Sequence, residues 1–133
     1  MGMVKGKALA VVLALVPVSA QANMKEQRVQ DCSCHGMQRE VHMPGGGFAD
    51  CVSDTHVVEI DRTAKWAEAI GQALYYAEQT GKRARVVLFC DDDNLRLCDR
   101  HRLRFESTVS FHNLPIELRL MDGSTVAAAC GVR

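Results

Sequence analysis

The sequence predicts an α/β fold, with a small mixed central sheet between helices in a three-layer α/β/α arrangement. Residues 55–61 alternate in polarity and are rich in β-branched side chains, which is typical of a strand. Apolar side chains then recur at helical spacing up to Gly81, and residues 84–90 form a continuous apolar run typical of a buried strand. This order predicts two parallel strands joined by a crossover helix.

The remaining elements follow from local patterns. We predict a short helix at residues 23–31, strands at 39–43 and 48–52, a helix at 93–112 and a last strand at 116–120. The resulting order is α, β-β-β, α, β, α, β. A mixed sheet with helices on both faces accommodates this order.

The two later helices each have a predicted inward face. For the central helix we expect Thr63 as the N-cap and Gly81 as the C′ residue. Its predicted apolar stripe consists of Trp66, Ala67, Ile70, Ala73, Leu74 and Ala77. In the next helix the predicted inward residues are Leu95, Cys98, Phe105 and Val109.

Residues 1–22 have the pattern of a secretory signal peptide. Lys5 and Lys7 lie in a charged n-region, residues 8–18 form an apolar h-region, and residues 20–22 (AQA) form a small-x-small cleavage site. The apolar segment is too short for a membrane-spanning helix. We therefore expect an exported, periplasmic or secreted protein, with a single domain at residues 23–133 and no stable membrane association after cleavage.

The charge balance argues against a strongly basic nucleic-acid-binding protein. The chain has 16 basic and 16 acidic residues, and loss of residues 1–22 removes two lysines and no acid. Any basic surface must therefore be local. One candidate is the segment with Arg96, Arg100, Arg102 and Arg104, which is open to two interpretations, a solvated helix face or a phosphate contact.

Six cysteines lie after the predicted cleavage site: Cys32, Cys34, Cys51, Cys90, Cys98 and Cys130. An even number in an exported chain predicts disulfides, although fifteen pairings are possible. We expect Cys90 to pair with Cys98, because a strand end and the first turns of the next helix lie close together. Residues 32–35 (CSCH) also have the residue types of half a metal site, without a second pair at ligand spacing.

The predicted strand at 55–61 and the helix after it carry polar side chains at positions where these side chains are expected to meet. Glu59 and Asp61 share one face of the strand, and unpaired carboxylates there are costly unless solvated, paired or bound to metal. On the helix, Lys65, Gln72 and Tyr76 lie on nearly one face. The alternative is an ordinary surface helix beside a strand end. The histidines His42, His56, His101 and His112 are scattered, and we expect them at surface or boundary positions.

Asp50, a hairpin, Glu59-Ile60-Asp61 and a helix with Gln72-x-x-x-Tyr76 together resemble the PD-(D/E)XK nuclease superfamily. The resemblance spans residues 24–120 and implies a restriction-endonuclease-like fold. The stretches 55–61 (THVVEID) and 65–82 (KWAEAIGQALYYAEQTGK) are similar to small bacterial proteins of that fold.

The resemblance implies roles for individual residues. Asp50 matches the first metal-binding aspartate, Glu59 the acidic residue of the (D/E)-x-K element, and Glu26 the glutamate of the first helix. Gln72 and Tyr76 match a Gln-x-x-x-Tyr helix and would position the substrate. The sequence departs from the family at one position, because Asp61 stands where the family has lysine. We expect Lys65 to supply that positive charge.

The chemistry implied is hydrolysis of phosphodiester bonds with Mg²⁺ or Mn²⁺. Asp50, Glu59 and the Ile60 carbonyl would bind the ion, with Asp61 as a further ligand. The ion would polarise the phosphate and lower the pKa of an attacking water, while Lys65 would orient that water or stabilise developing negative charge. The expected function is an exported nuclease acting on DNA or RNA. The alternative, favoured by Asp61 and the neutral charge, is a catalytically inactive binding module stabilised by disulfides.

Overall fold

The computed structural model describes residues 18–91 and 94–121, together with Gly2 and Ala10, and within these ranges the side chains from residue 26 onward. The order of elements matches the prediction. They are α1 (Val18–Ser33), β1 (Gln38–His42), β2 (Phe48–Val52), β3 (His56–Arg62), α2 (Trp66–Thr80), β4 (Arg83–Phe89), α3 (Leu95–Phe111) and β5 (Ile116–Met121). The predicted helix start at Asn23 is wrong, because α1 begins at Val18 and continues through the predicted cleavage site. The n-region and nearly all of the h-region lie outside the described residues.

The strands form one five-stranded mixed sheet in the order β1-β2-β3-β4-β5. β1, β2 and β3 pair antiparallel, whereas β3, β4 and β5 pair parallel. The two parallel pairs are connected by α2 and α3, as crossover connections require. The predicted α/β class and the parallel pairing of β3 with β4 are therefore confirmed.

Helices pack on both faces of the sheet. In β4, Val86 and Leu88 lie in a core cluster with α2 residues and with Phe105 of α3. Val87 and Phe89, which alternate with them, belong to a second cluster that includes Val29 of α1. The sheet thus lies between α1 on one face and α2 with α3 on the other.

The start of α2 differs from the prediction. Thr63 is not a helix N-cap: it opens a 3₁₀ turn, Thr63–Lys65, its residue is 1% exposed, and its hydroxyl lies 3.3 Å from His101 Nδ1. The predicted apolar stripe of α2 is wrong at Ala67, which is exposed. Ala69 is buried in its place, because the face that packs inward is that of Ala69, Ile70, Ala73 and Tyr76. Gly81 is confirmed at the C-terminus, with φ of 66° and its N–H bonded to the Ala77 carbonyl.

In α3, two of the four predicted inward residues, Cys98 and Phe105, are buried, and Val109 packs against the same core while partly exposed. Leu95 is wrong as an inward residue, because 68% of it is exposed. It is the first residue of the helix, ahead of the turn at which packing begins. The preceding Asn94 caps the helix, accepting the Leu97 N–H on its side chain.

Disulfides tie the layers together. Cys90 pairs with Cys98, as predicted, and Cys34 pairs with Cys51 between the end of α1 and β2. Cys32 is also disulfide-bonded. The metal half-site interpretation of residues 32–35 is therefore wrong, since oxidised sulfurs are not thiolate ligands. Cys130 lies outside the described residues. No helix in the described part of the chain is long and apolar enough to cross a membrane.

His56 is buried rather than at a boundary, with 7% of the residue exposed. Its Nδ1 lies 2.8 Å from the Thr55 hydroxyl, and its Nε2 lies 3.0 Å from Glu117 Oε2. Arg85 bonds to the same glutamate. This polar network joins the first halves of β3, β4 and β5, at the opposite end of β3 from the carboxylates.

Candidate functional site

A cavity of about 220 Å³ opens at the carboxyl end of β3. Its lining includes all but one of the predicted site residues, together with Glu26 of α1. The lining residues are Glu26, Phe48, Asp50, Glu59, Ile60, Asp61, Arg62, Lys65, Glu68 and Gln72. The carboxyl ends of parallel strands are common ligand sites in open α/β sheets. Residues predicted from β2, β3 and α2 are thus brought to one place.

The side chain of Asp50 is held by a hydrogen bond that takes the place of a backbone hydrogen bond between β2 and β3. The paired residues of these strands are Cys51 with Val58 and Val52 with Val57. Next to the last pair, Asp50 Oδ2 accepts the backbone N–H of Ile60 at 2.7 Å. A carboxylate therefore satisfies a backbone donor at the point where the ladder stops, and its other oxygen remains for the cavity.

Glu59 is the most unusual group in the cavity. It is 5% exposed, and its Oε1 is buried without a hydrogen-bond partner in the described structure. Burial, followed by the charge of Asp50, raises the pKa of Glu59 to about 9. A buried acceptor without a partner costs about 1–3 kcal/mol. The ionised form of Glu59 is therefore unfavourable here, and a proton or a bound cation would stabilise the side chain.

The other two carboxyls are perturbed in the same direction. Burial raises the pKa of Asp50 to about 6, although the Ile60 N–H opposes the shift. Burial also raises the pKa of Asp61, whose Oδ1 accepts the Arg62 N–H at 2.8 Å, while the charge of Lys65 lowers it.

Two cations lie at the rim. Lys65, in the 3₁₀ turn, has its Nζ 4.0 Å from Glu68 Oε2, and its side chain is 44% exposed. Arg62 Nη1 lies 3.5 Å from Asp91 Oδ2. Five carboxyl-bearing residues against two cations make the lining acidic overall. Such a cavity attracts cations, and it repels phosphate unless a cation is bound.

Tyr76 does not line this cavity. It is 6% exposed and packs with Met43, Ala49, Val52 and Val57 in a core cluster below the β1–β2 hairpin. Burial, then the charge of Glu59, raises its pKa. The structure therefore brings Gln72, but not Tyr76, to the carboxylates.

The sequence interpretation missed three lining residues, Phe48, Arg62 and Glu68. Arg62 directly follows Asp61, so its position at a strand end was a usable signal. Glu68 follows Lys65 by three residues, a spacing at which helical side chains meet. Phe48 gave no such signal, because its contribution depends on how the hairpin folds over β3.

The donor chemistry fits a magnesium-type ion. No three His, Cys, Asp or Glu side chains within the described ranges are grouped as a ready metal site. Mg²⁺, however, takes one or two carboxylates and keeps several waters. The unpartnered oxygen of Glu59 and the half-buried Asp50 would supply that pair if the ion binds.

Comparisons with known proteins give no assignment. No family model matches the chain, and no curated protein or solved structure shows a significant match. The fold is accordingly described as mixed α/β, with three helices and a five-stranded mixed sheet among the described residues.

Proposed function

We propose that this protein is an exported, metal-dependent phosphodiesterase that hydrolyses nucleic acid, with a restriction-endonuclease-like arrangement of its sheet and helices. The observation that carries the proposal is the single cavity that joins Asp50, Glu59 and Asp61 to Lys65 and Gln72. The buried, unpartnered oxygen of Glu59 supports the proposal, because a bound cation would stabilise it, as a proton does in the metal-free protein. The disulfides support the exported location, since they persist in oxidising compartments.

Each lining residue has a role in this proposal. Asp50 and Glu59 would hold Mg²⁺ or Mn²⁺, and Asp61 would add a further oxygen. The ion supplies a polarised phosphate and a more acidic water. Lys65 would orient the attacking water or stabilise negative charge that develops on the phosphate. Gln72 would position the substrate through its amide.

Incubation of the purified protein with plasmid and single-stranded DNA or RNA tests the proposal. We expect cleavage with Mg²⁺ or Mn²⁺ and none with chelator. Glu59→Ala is the matched inactive variant and should lose activity at least as completely as Lys65→Ala, because it loses the metal. Cleavage that persists in chelator, or in Glu59→Ala, would contradict this site.

A binding module without catalysis is the second candidate. Asp61 favours it, because an acid stands where the resemblance places the catalytic lysine. The neutral charge of the chain favours it as well, because it provides no strong general attraction for a nucleic acid substrate. Absence of cleavage with every divalent ion, combined with retained binding of nucleic acid, would make this candidate the better one.

A further inference from the structure

The outer surface of α3 carries a line of arginines. Arg96, Arg100 and Arg104 are all exposed and are spaced by four residues, so they lie on one face of the helix. Cys98 and Phe105, which are buried, lie on the opposite face. The arginines therefore point away from the sheet.

These three arginines are not neutralised by neighbours. None of them makes an ion pair or a side-chain hydrogen bond within the described residues, in contrast to Arg102. That residue binds Asp99 Oδ1 at 2.6 Å and Glu106 Oε2 at 2.7 Å. The acids nearest in sequence are thus occupied by Arg102, and the other three guanidinium groups remain available to a partner.

Exposed apolar side chains lie on the same face. Phe111 is 84% exposed and Leu103 is 50% exposed, with Ser107 between them. We call this surface the arginine face, and its members are Arg96, Arg100, Leu103, Arg104, Ser107 and Phe111. A line of cations beside an exposed aromatic ring is the surface chemistry of proteins that bind single-stranded nucleic acid.

We propose that the arginine face binds the phosphate backbone of a nucleic acid strand, with Phe111 stacking on a base. The proposal rests on the proposed function and adds to it the surface that holds the substrate. Arg96 and Arg104 are separated by about 12 Å along the helix axis, from a rise of about 1.5 Å per residue. That distance matches three to four nucleotides at about 3.4 Å each.

The helix that carries the arginine face, α3, also contacts the turn at the rim of the candidate site. On another side of the same helix, His101 contacts Thr63, the first residue of the turn that carries Lys65. A nucleic acid bound along α3 would thus be held on a helix that contacts the turn carrying Lys65. The acidic cavity would gain from this, because affinity for the polyanion would come from outside it.

A membrane surface fits this face less well than a nucleic acid does. Helices that lie in the membrane interface bury a broad apolar face. Here Leu103 and Phe111 are separated by Ser107 and flanked by arginines, so no continuous apolar stripe forms on this face. Binding to anionic vesicles is retained as an outcome of the test.

The test measures anisotropy of labelled single-stranded and duplex oligonucleotides, in chelator and between about 50 and 200 mM salt. The variant is the triple substitution Arg96→Gln, Arg100→Gln and Arg104→Gln. The control is Arg39→Gln, Arg83→Gln and Arg119→Gln, which removes the same charge from exposed arginines on β1, β4 and β5 and leaves the Arg102 ion pairs intact. We expect the variant to bind about 100-fold more weakly at low salt and its salt slope to fall by about 2–3. The control should bind like the wild type.

Phe111→Ala separates stacking from charge. It should weaken binding of the single strand about tenfold and affect the duplex less, because only the unpaired base offers its face. Equal binding by wild type and triple variant would overturn the proposal, as would binding to anionic vesicles but not to oligonucleotides. Binding without cleavage in Mg²⁺ or Mn²⁺ contradicts only the phosphodiesterase. Cleavage with unchanged binding by the triple variant contradicts only the arginine face.

Discussion

Glu59 destabilises the folded, metal-free protein and is also a residue of the proposed site. It is only 5% exposed and lies beside Asp50, so its ionised form is unfavourable. One of its carboxyl oxygens has no hydrogen-bond partner in the described structure. Natural proteins tolerate such positions mainly where they serve a function. Replacing the group should therefore stabilise the metal-free protein while removing the proposed chemistry.

The metal-free protein should lose stability as the pH rises. The pKa of Asp50 is raised from 3.8 to about 6 and that of Glu59 from 4.5 to about 9, so the folded state binds protons that the unfolded chain releases. This contribution is fully present below about pH 4 and is lost as the pH passes through about 6 and then about 9. Urea unfolding in chelator from pH 4 to 9 measures it. Stability that rises steadily over this range would contradict the raised values.

Glu59→Gln should remove much of that dependence. At pH 8 in chelator we expect its free energy of unfolding to exceed that of the wild type by about 1–3 kcal/mol. Mg²⁺ should raise the melting temperature of the wild type but not of the variant. Glu78→Gln, at an exposed position on α2, is the control and should behave as the wild type in both measurements. If Mg²⁺ stabilised Glu59→Gln and Glu78→Gln equally, the ion would bind at a site that does not include Glu59.

Lys65→Ala should abolish cleavage and leave the fold intact, because the side chain is 44% exposed and lies outside the core. Loss of a charge positioned at a developing negative centre typically costs about 10²-fold or more in rate. Adding Asp61→Lys to this variant should restore part of the activity, because that position lines the same cavity. Initial rates on single-stranded DNA measure both effects.

The control for Lys65 is Lys82→Ala. Lys82 bonds to the Ser53 carbonyl and lines a different cavity, so its loss should reduce stability without abolishing cleavage. If Lys65→Ala cleaves as fast as the wild type, the assignment of this lysine is wrong.

At the scale of elements, the β1–β2 hairpin places two of the residues that line the cavity. The hairpin turn is clasped by α2, since Tyr75 donates its hydroxyl to the Gly45 carbonyl and Gln79 accepts the Gly45 N–H. Phe48 and Asp50, which line the cavity, follow directly in β2. The contacts of the hairpin turn with α2 therefore help to position Phe48 and Asp50 in the cavity.

Two neighbouring glycines give a matched test of this packing. Gly46 and Gly47 both have positive φ, 98° and 86°, so alanine is strained at either position. A Cβ at Gly46 meets nothing within 4 Å, whereas one at Gly47 would lie 2.5 Å from the Tyr76 hydroxyl. Gly46→Ala should cost about 1–2 kcal/mol, and Gly47→Ala should cost more because it also displaces Tyr76. Urea unfolding compares them, and equal losses would show that Tyr76 moves freely.

The disulfides should differ in what they stabilise. Cys90→Ser with Cys98→Ser opens a short loop of sequence separation 8 and should cost about 2–3 kcal/mol. Cys34→Ser with Cys51→Ser should lower the free energy of unfolding more, because this disulfide closes a longer loop, at separation 17. The substitutions also place serine hydroxyls at two buried positions. Urea unfolding ranks them. A larger loss for the Cys90–Cys98 pair would reverse this interpretation.

At the scale of the whole molecule, export is the remaining expectation. Cleavage after Ala22 would remove the first turn of α1, which begins at Val18, and leave the part that packs through Val29. Mass spectrometry of protein recovered from the periplasm or medium should find a chain that begins at Asn23. A chain that retains Met1 would contradict the prediction.

The sequence alone determined the order of the elements and predicted most of the residues that line the candidate cavity. Alternation in residues 55–61, the apolar run at 84–90 and the turn at Gly81 are local signals, and they are sufficient to order the elements. The strand period placed Glu59 and Asp61 on one face, and the predicted pairing of two neighbouring strands brought Asp50 towards them, so that all three line one cavity.

Tertiary structure alone decided what periodicity does not encode. Packing against the sheet buried Ala69 instead of Ala67, and Tyr76 became part of the core below the hairpin, so it does not line the cavity that its spacing predicted. The burial that raises the pKa of Glu59, and the pairing of Arg102 that leaves three other arginines free, also depend on contacts that only the folded chain makes. These quantities are set by distance in space, and a one-dimensional pattern specifies that distance only within single elements.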